Sequence, residues 1–136
     1  MKLLMIYCNT FAYTPKIKTL DGYEEHNKGE EFKDVLVAFV QVEENDTNNL
    51  KSVEDKLLKN LKWAAKKNNT KHIILHSFAH LSESKASPET AKQIFDKVET
   101  RLKNSDYMAN QTPFGYFLDI KVDAPGYSLA RIFKNL

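Results

Sequence analysis

The sequence predicts a mixed α/β domain in which a largely antiparallel sheet packs against two main helices. Three observations lead there. Only two segments carry apolar residues at helical spacing, and five others are dense in β-branched and aromatic residues. The resulting order, β, hairpin, β, α, β, α, β, β, holds too few helices to cover both faces of a large parallel sheet. Sheet left bare by two helices needs another sheet or a second subunit, so a homodimer is expected.

Each element has its own justification. Lys2 to Tyr7 is a continuous apolar run suited to a central strand. Residues 9–32 mix aromatics with Lys, Glu, Asn, Gly22 and Gly29, and read as an excursion shaped as a hairpin. Phe32 to Val42 is rich in β-formers and makes a long strand. Asp46 and Thr47 are placed to cap a helix from about Asn49 to Lys67, whose Leu50, Val53, Leu57, Leu61 and Ala64 share one face. Asn68-Asn69 ends it. His72 to His76 is a short buried strand, and Ser77 to Ala86 a loop. Ser87 caps the second helix and Pro88 fills its first turn, where the missing N–H costs nothing. Ala91, Ile94, Phe95, Val98 and Leu102 form its buried stripe. Tyr107 to Ala109 and Phe114 to Val122 are further strands, Ala124-Pro125-Gly126 is a turn, and Leu129 to Phe133 is a short apolar segment.

At 136 residues, 42% of them hydrophobic and 28% charged, the chain is expected to form one domain over residues 1–136. No apolar run approaches the roughly 20 residues of a membrane span, and no membrane association is expected. The opening MKLLMIYCN lacks a cleavage pattern and reads as a buried strand. A single cysteine, Cys8, allows no internal disulfide and fits a reducing compartment, so the cytoplasm is expected. The net charge of +2 says little about partners. Lysines do cluster at Lys56, Lys59, Lys62, Lys66 and Lys67, and again at Lys97, Arg101 and Lys103; a solvated helix face is the favoured reading over a phosphate track.

Several chemistries find no support. Four glycines build no phosphate-binding loop, and a zinc site is disfavoured because His72 and His76 fall on a strand while Cys8 has no partner. Ser77, Ser82 and Ser84 lie near His80 but without a nucleophile elbow. Two segments stand out instead. Ser77-Phe78-Ala79-His80-Leu81-Ser82 links a buried strand to a helix, where α/β sheets place functional loops. Thr112-Pro113-Phe114-Gly115-Tyr116 sets a rigid Pro and a permissive Gly around two aromatics, which could stack a nucleobase or simply fill core beside a turn.

Taken together and in order, these segments resemble the N-terminal editing domain of archaeal threonyl-tRNA synthetases. LLMIYCN is similar to the family's first strand and Val35 to Glu43 to its VLVAF-x-x-VE strand, while Phe78 to Ser82 matches its FAHLS loop and Pro113 to Tyr116 its PFGY turn. The resemblance implies a fold similar to the D-aminoacyl-tRNA deacylases and hydrolysis of serine wrongly esterified to threonine tRNA. Such an activity answers a physical need, because the one methyl separating serine from threonine discriminates by only about 1–3 kcal/mol. It further implies catalytic positions at His80 and Ala79, the latter through its backbone. Substrate-binding positions are implied at Val42, Phe78, Ala79, His80, Phe114, Gly115, Tyr116 and Phe117, with threonine tRNA as partner and its terminal adenosine against Phe114. No cofactor or metal is implied for this domain; ATP and zinc are expected only in the synthetic part of a full-length synthetase.

The match then breaks. Where better-known members continue with Tyr-Lys, a lysine given a catalytic role, this chain has Phe117 and Leu118. Lys121 sits at an odd offset from Leu118 and points to the opposite face of a strand. Arg131 stands at a family glutamate, and Ser77 at the loop's leading proline. The favoured reading is that those side chains are not the chemical engine: His80, backbone groups and the ribose 2′-OH of the tRNA place the water. Two alternatives remain, a freestanding D-aminoacyl-tRNA deacylase and a non-catalytic tRNA-binding appendage.

Overall fold

A computed structural model describes all residues, 1–136. Its strands are β1 (Lys2–Lys18), β2 (Glu30–Gln41), β3 (His72–Ser77), β4 (Met108–Gln111), β5 (Tyr116–Asp123) and β6 (Arg131–Asn135). Its helices are α1 (Leu50–Lys67) and α2 (Pro88–Lys103). One sheet runs β4-β3-β2-β1, and the outer edge of β1 is divided between two partners. Lys2 to Ile6 of β1 pair with β6, and Thr10 to Lys18 pair with β5. The β1 pairings are antiparallel, whereas β2–β3 and β3–β4 are parallel, so the sheet is mixed as expected.

Alternation along the strands divides the apolar residues into two clusters. Leu3, Met5, Leu36, Ala38 and Val40 face the helices and meet Leu57 and Leu61 of α1 and Ile94, Phe95 and Val98 of α2. Val35, Val37, Phe39 and Ile74 face the other way, and join Cys8 and Phe11 in a smaller cluster with Phe78, Leu81 and Leu118 at its margin. Cys8 and Phe11 are three residues apart yet share that cluster. The strand coils between them, opposite Asp34, whose φ is +56°. One part of the margin of the second cluster is the loop after β3 together with β5, and there the cleft described below is formed.

Some sequence expectations need correction. Residues 9–32 are not a hairpin excursion: β1 continues to Lys18, with an irregularity at Pro15, and only the stretch between β1 and β2 leaves the sheet. The polar and aromatic mixture there reflects a strand that pairs with β2 only to Tyr13, continues against β5 alone, and is unevenly covered. Asp46 and Thr47 do not cap the long helix directly, since they lie in a 3₁₀ turn, Glu44–Asn49, that leads into α1. Asp46 is buried there and bonds the α-amino group of Met1 at 3.1 Å. The tail segment is a short 3₁₀ turn followed by β6. Ser87 does cap α2, its Oγ accepting from the Thr90 N–H at 3.2 Å.

Candidate functional site

β2 ends at Val40-Gln41, and these two residues with Val42 just beyond hold the loop that follows β3. The Phe78 N–H donates to the Val40 carbonyl at 3.0 Å, and the Ala86 N–H to the Val42 carbonyl at 2.9 Å. Between these two anchors lies the Gln41 side chain, only 2% exposed. Its Oε1 accepts from the N–H groups of Leu81 (2.6 Å) and Ser82 (2.7 Å). Its Nε2 donates to the carbonyls of Ser82 (2.7 Å) and Ser84 (2.9 Å). Glu43 adds an acceptor for the Ser82 hydroxyl at 2.6 Å. Burial alone would raise the Glu43 carboxyl, but hydrogen bonds from the Met1 ammonium, Ser82 and Lys2 outweigh it and hold the group at about 2.

The effect of this strapping is on what remains free. Ala79 and His80, at the crest of the loop, are exposed, and their backbone N–H groups have no acceptor in the protein. Both residues line a cleft of about 300 Å³. Its opposite wall is Pro113 to Leu118, so the two segments singled out in the sequence face each other. A second cavity adjoins it through Ala79, His80, Phe114 and Phe117 and reaches Val42. All eight implied substrate-binding positions, Val42, Phe78, Ala79, His80, Phe114, Gly115, Tyr116 and Phe117, thus line one or other of two connected spaces.

Their side chains differ in what they offer. Phe114 is 8% exposed, its ring held edge-on by Tyr23 (4.9 Å) and Phe95 (6.2 Å). The ring presented to solvent is that of Phe117, 57% exposed. Tyr116 turns its hydroxyl to accept from the His26 N–H at 3.0 Å. Gly115, at φ +82°, accepts from the Thr19 N–H at 2.7 Å, and a Cβ there would stand 3.0 Å from that of Leu20. That close approach and that backbone region both favour glycine. Leu118 lines the cleft and packs on the second cluster, whereas Lys121 and Arg131 line neither cavity. Arg131 instead donates to the Pro125 carbonyl at 2.8 Å.

No carboxylate lines either space; one lysine, Lys85, lines the second, and the titratable side chains of the first are His76, His80 and Tyr116. His76 lies on β3 as a strand residue, its Nδ1 2.8 Å from the Thr112 Oγ1. Burial pushes its imidazole down to about 4, so it is neutral at pH 7. It is edge-on to Phe39 and also neighbours Phe78, which packs against His80 at 5.0 Å. His72 likewise is on β3 and meets the Asn110 Oδ1 at 2.6 Å. Three or more His, Cys, Asp or Glu side chains converge nowhere in a way that could hold a metal ion. No helix is long and apolar enough to cross a membrane.

Gln41 and His76 were missed as site residues. Gln41 had a readable signal, an amide inside an otherwise apolar strand end next to Val42, since such a group once buried must find partners.

A family profile described as the archaea-specific editing domain of threonyl-tRNA synthetase matches residues 1–136. The chain is 31% identical over 139 residues to a threonine–tRNA ligase of Pyrococcus horikoshii, covering 100% of this chain and 22% of that protein. The corresponding ligase of Thermococcus sibiricus is 30% identical over 139 residues with the same coverage, and that of Methanocaldococcus jannaschii 27% over 136. The chain thus spans under a quarter of the length of these relatives. Among solved structures, a c-Myc DNA unwinding element binding protein superposes with a TM-score of 0.69 at 12% identity, over 100% of this chain and 99% of that one. At that identity the likeness is one of fold.

Proposed function

Since the chain belongs to the archaea-specific editing domain family of threonyl-tRNA synthetase, we propose that it hydrolyses the ester joining L-serine to threonine tRNA. The observation that carries this reading is the pair of unpartnered N–H groups at Ala79 and His80, held at the rim of a cleft by a loop whose other polar groups are satisfied. A water adds to the ester carbonyl carbon, the developing oxyanion is met by those two donors, and the C–O bond to the ribose breaks. The leaving 3′ oxygen takes a proton, giving free serine and uncharged tRNA. No carboxylate lines either space and the one lysine, Lys85, is in the second, so the base assigned to the water is the neighbouring ribose 2′-OH, held with the water by His80. Phe117 offers the exposed ring on which the terminal adenine stacks, backed by Phe114.

The test is deacylation of threonine tRNA charged with L-serine or L-threonine. Serine should be released at least tenfold faster, and a terminal 2′-deoxyadenosine should slow its release by about 100-fold or more. Cleavage indifferent to the 2′-OH overturns the assisted mechanism. Faster release of D-amino acids than of L-serine overturns the substrate. Binding of tRNA without any release leaves only an appendage. A homodimer is part of the same proposal, supported by the apolar side chains of Ile17, Val122 and Phe133 that the single chain leaves exposed. Sedimentation at micromolar concentration checks it, with a monomer as the contrary result.

A further inference from the structure

The lysine cluster of α1 is not used by the cleft, and its placement is uneven. In the N-terminal half of the helix acidic residues are interspersed: Lys51 pairs with Asp55, Arg101 of α2 reaches both Glu54 and Asp55, and Lys56 is unpaired. In the C-terminal half, Lys59, Lys62, Trp63, Lys66 and Lys67 fall within an arc of roughly 140° at about 100° per residue, with no acidic residue among them. Two further lysines flank this face from other parts of the chain. Lys134 of β6 and Lys67 both lie about 6 Å from the Trp63 ring centre, at 6.0 and 5.9 Å. On the other flank Lys71 and Lys62 approach the Tyr107 ring at 4.6 and 6.0 Å. None of these six ammonium groups has a carboxylate within 4 Å.

An aromatic ring restrains an ammonium without cancelling its charge, as a carboxylate would. The face therefore offers ordered, unneutralised positive charge around a Trp63 ring that is 42% exposed. The helix dipole accounts for Lys66 and Lys67 in the last turn. It does not account for Lys59, or for Lys71 and Lys134 on other elements. We infer that this face docks the phosphodiester backbone of the tRNA, by charge complementarity. Because α1 ends where β3 begins, and the cleft loop leaves the other end of β3, the patch lies a strand length away, roughly 20 Å for six residues. That distance puts it beyond the terminal adenosine, along the backbone of the nucleotides that precede it. The inference rests on the proposed reading only in naming tRNA as the polyanion.

The experiment measures binding of threonine tRNA by fluorescence anisotropy across a salt series, with deacylation of both seryl-tRNA and seryl-adenosine. The variants are Lys66→Ala/Lys67→Ala, Trp63→Ala, and Lys97→Ala on α2 as a control. The first double variant should lower the slope of log K against log salt by about 1.8, near 0.9 per lysine, and weaken binding about tenfold. Trp63→Ala should weaken binding with a smaller change in slope. For both, KM for seryl-tRNA rises while turnover of seryl-adenosine stays at the wild-type level; the control changes neither. Wild-type slope and affinity in Lys66→Ala/Lys67→Ala overturn the inference, and show the face to be solvated or turned toward another protein. If the wild-type chain releases no amino acid but its tRNA binding still depends on these lysines, the proposed reaction fails and the docking surface stands.

Discussion

Replacing Gln41 by methionine keeps the volume of the side chain and removes its four hydrogen bonds to the loop. The Ser82 and Ser84 carbonyls sit on a half-buried loop and can turn to water. The N–H groups of Leu81 and Ser82 converge on one buried oxygen and have no second acceptor at hand. Leaving a donor unmet costs about 1–3 kcal/mol, and partial access to water puts each of these near 1. The clamp thus contributes about 2 kcal/mol to closure of the loop, equivalent to about 30-fold in the closed-to-open ratio. Phe78 and Ala86 remain anchored by backbone bonds, so opening is local and the global transition moves little. Hydrogen exchange resolved at single amides should show Leu81 and Ser82 losing about 30-fold of protection while β2 and β3 keep theirs. Deacylation should fall only as far as the closed fraction of the loop that carries Ala79 and His80 falls, which is less than the loss of protection. Unchanged protection at Leu81 and Ser82 would refute the clamp.

Three other outcomes follow from the geometry. His76 is neutral in the folded chain, with its imidazole near 4 against 6.5 when unfolded, so the unfolded state takes up its proton first as pH falls. Stability to urea should drop by about 2 kcal/mol between pH 6.5 and pH 4.5, a window above that in which Glu43 titrates, and His76→Gln should flatten the drop. Gly115→Ala forces a Cβ toward Leu20 at positive φ, costing about 1–3 kcal/mol in denaturant melts and slowing deacylation. Leu118→Lys restores the residue expected from better-known relatives, but displaces a half-buried side chain from the second cluster. It should lower stability by about 1–2 kcal/mol without raising the rate of seryl-tRNA cleavage, and a rate gain would return the lysine to the mechanism.

Much of the fold was legible because its elements carry strong periodic patterns. α1 and α2 announced themselves through apolar spacing and the Ser87-Pro88 start, and β2 through Val35 to Val42. The second half of β1 was not legible. Its Thr10, Tyr13, Pro15 and Lys18 alternate poorly, because that half pairs with β5 throughout but with β2 only as far as Tyr13, and little of it is buried beyond there. The two walls of the cleft were readable from the FAHLS and PFGY segments, but their contents were not. Nothing local distinguishes Phe117 as the ring open to solvent from Phe114 as the one held in the core. The reach of Gln41 across to residues 81–84 is likewise a tertiary fact, written in no spacing along the chain.

β1 has one further consequence, for the order in which the molecule assembles. It is the only strand with three neighbours, and two of them, β5 and β6, come from the last 21 residues. The near wall of the cleft, the loop after β3, can settle on β2 as soon as those two strands pair. The far wall cannot, because Tyr116 to Leu118 pair only when β5 finds Thr10 to Lys18, about a hundred positions away in the chain. Closing so long a loop comes late and slowly, in the regime of chains dominated by distant pairings. An intermediate with β5 and β6 still unpaired would display the whole FAHLS loop yet enclose nothing. Enclosure of the cleft then waits on the pairing of β5 with β1.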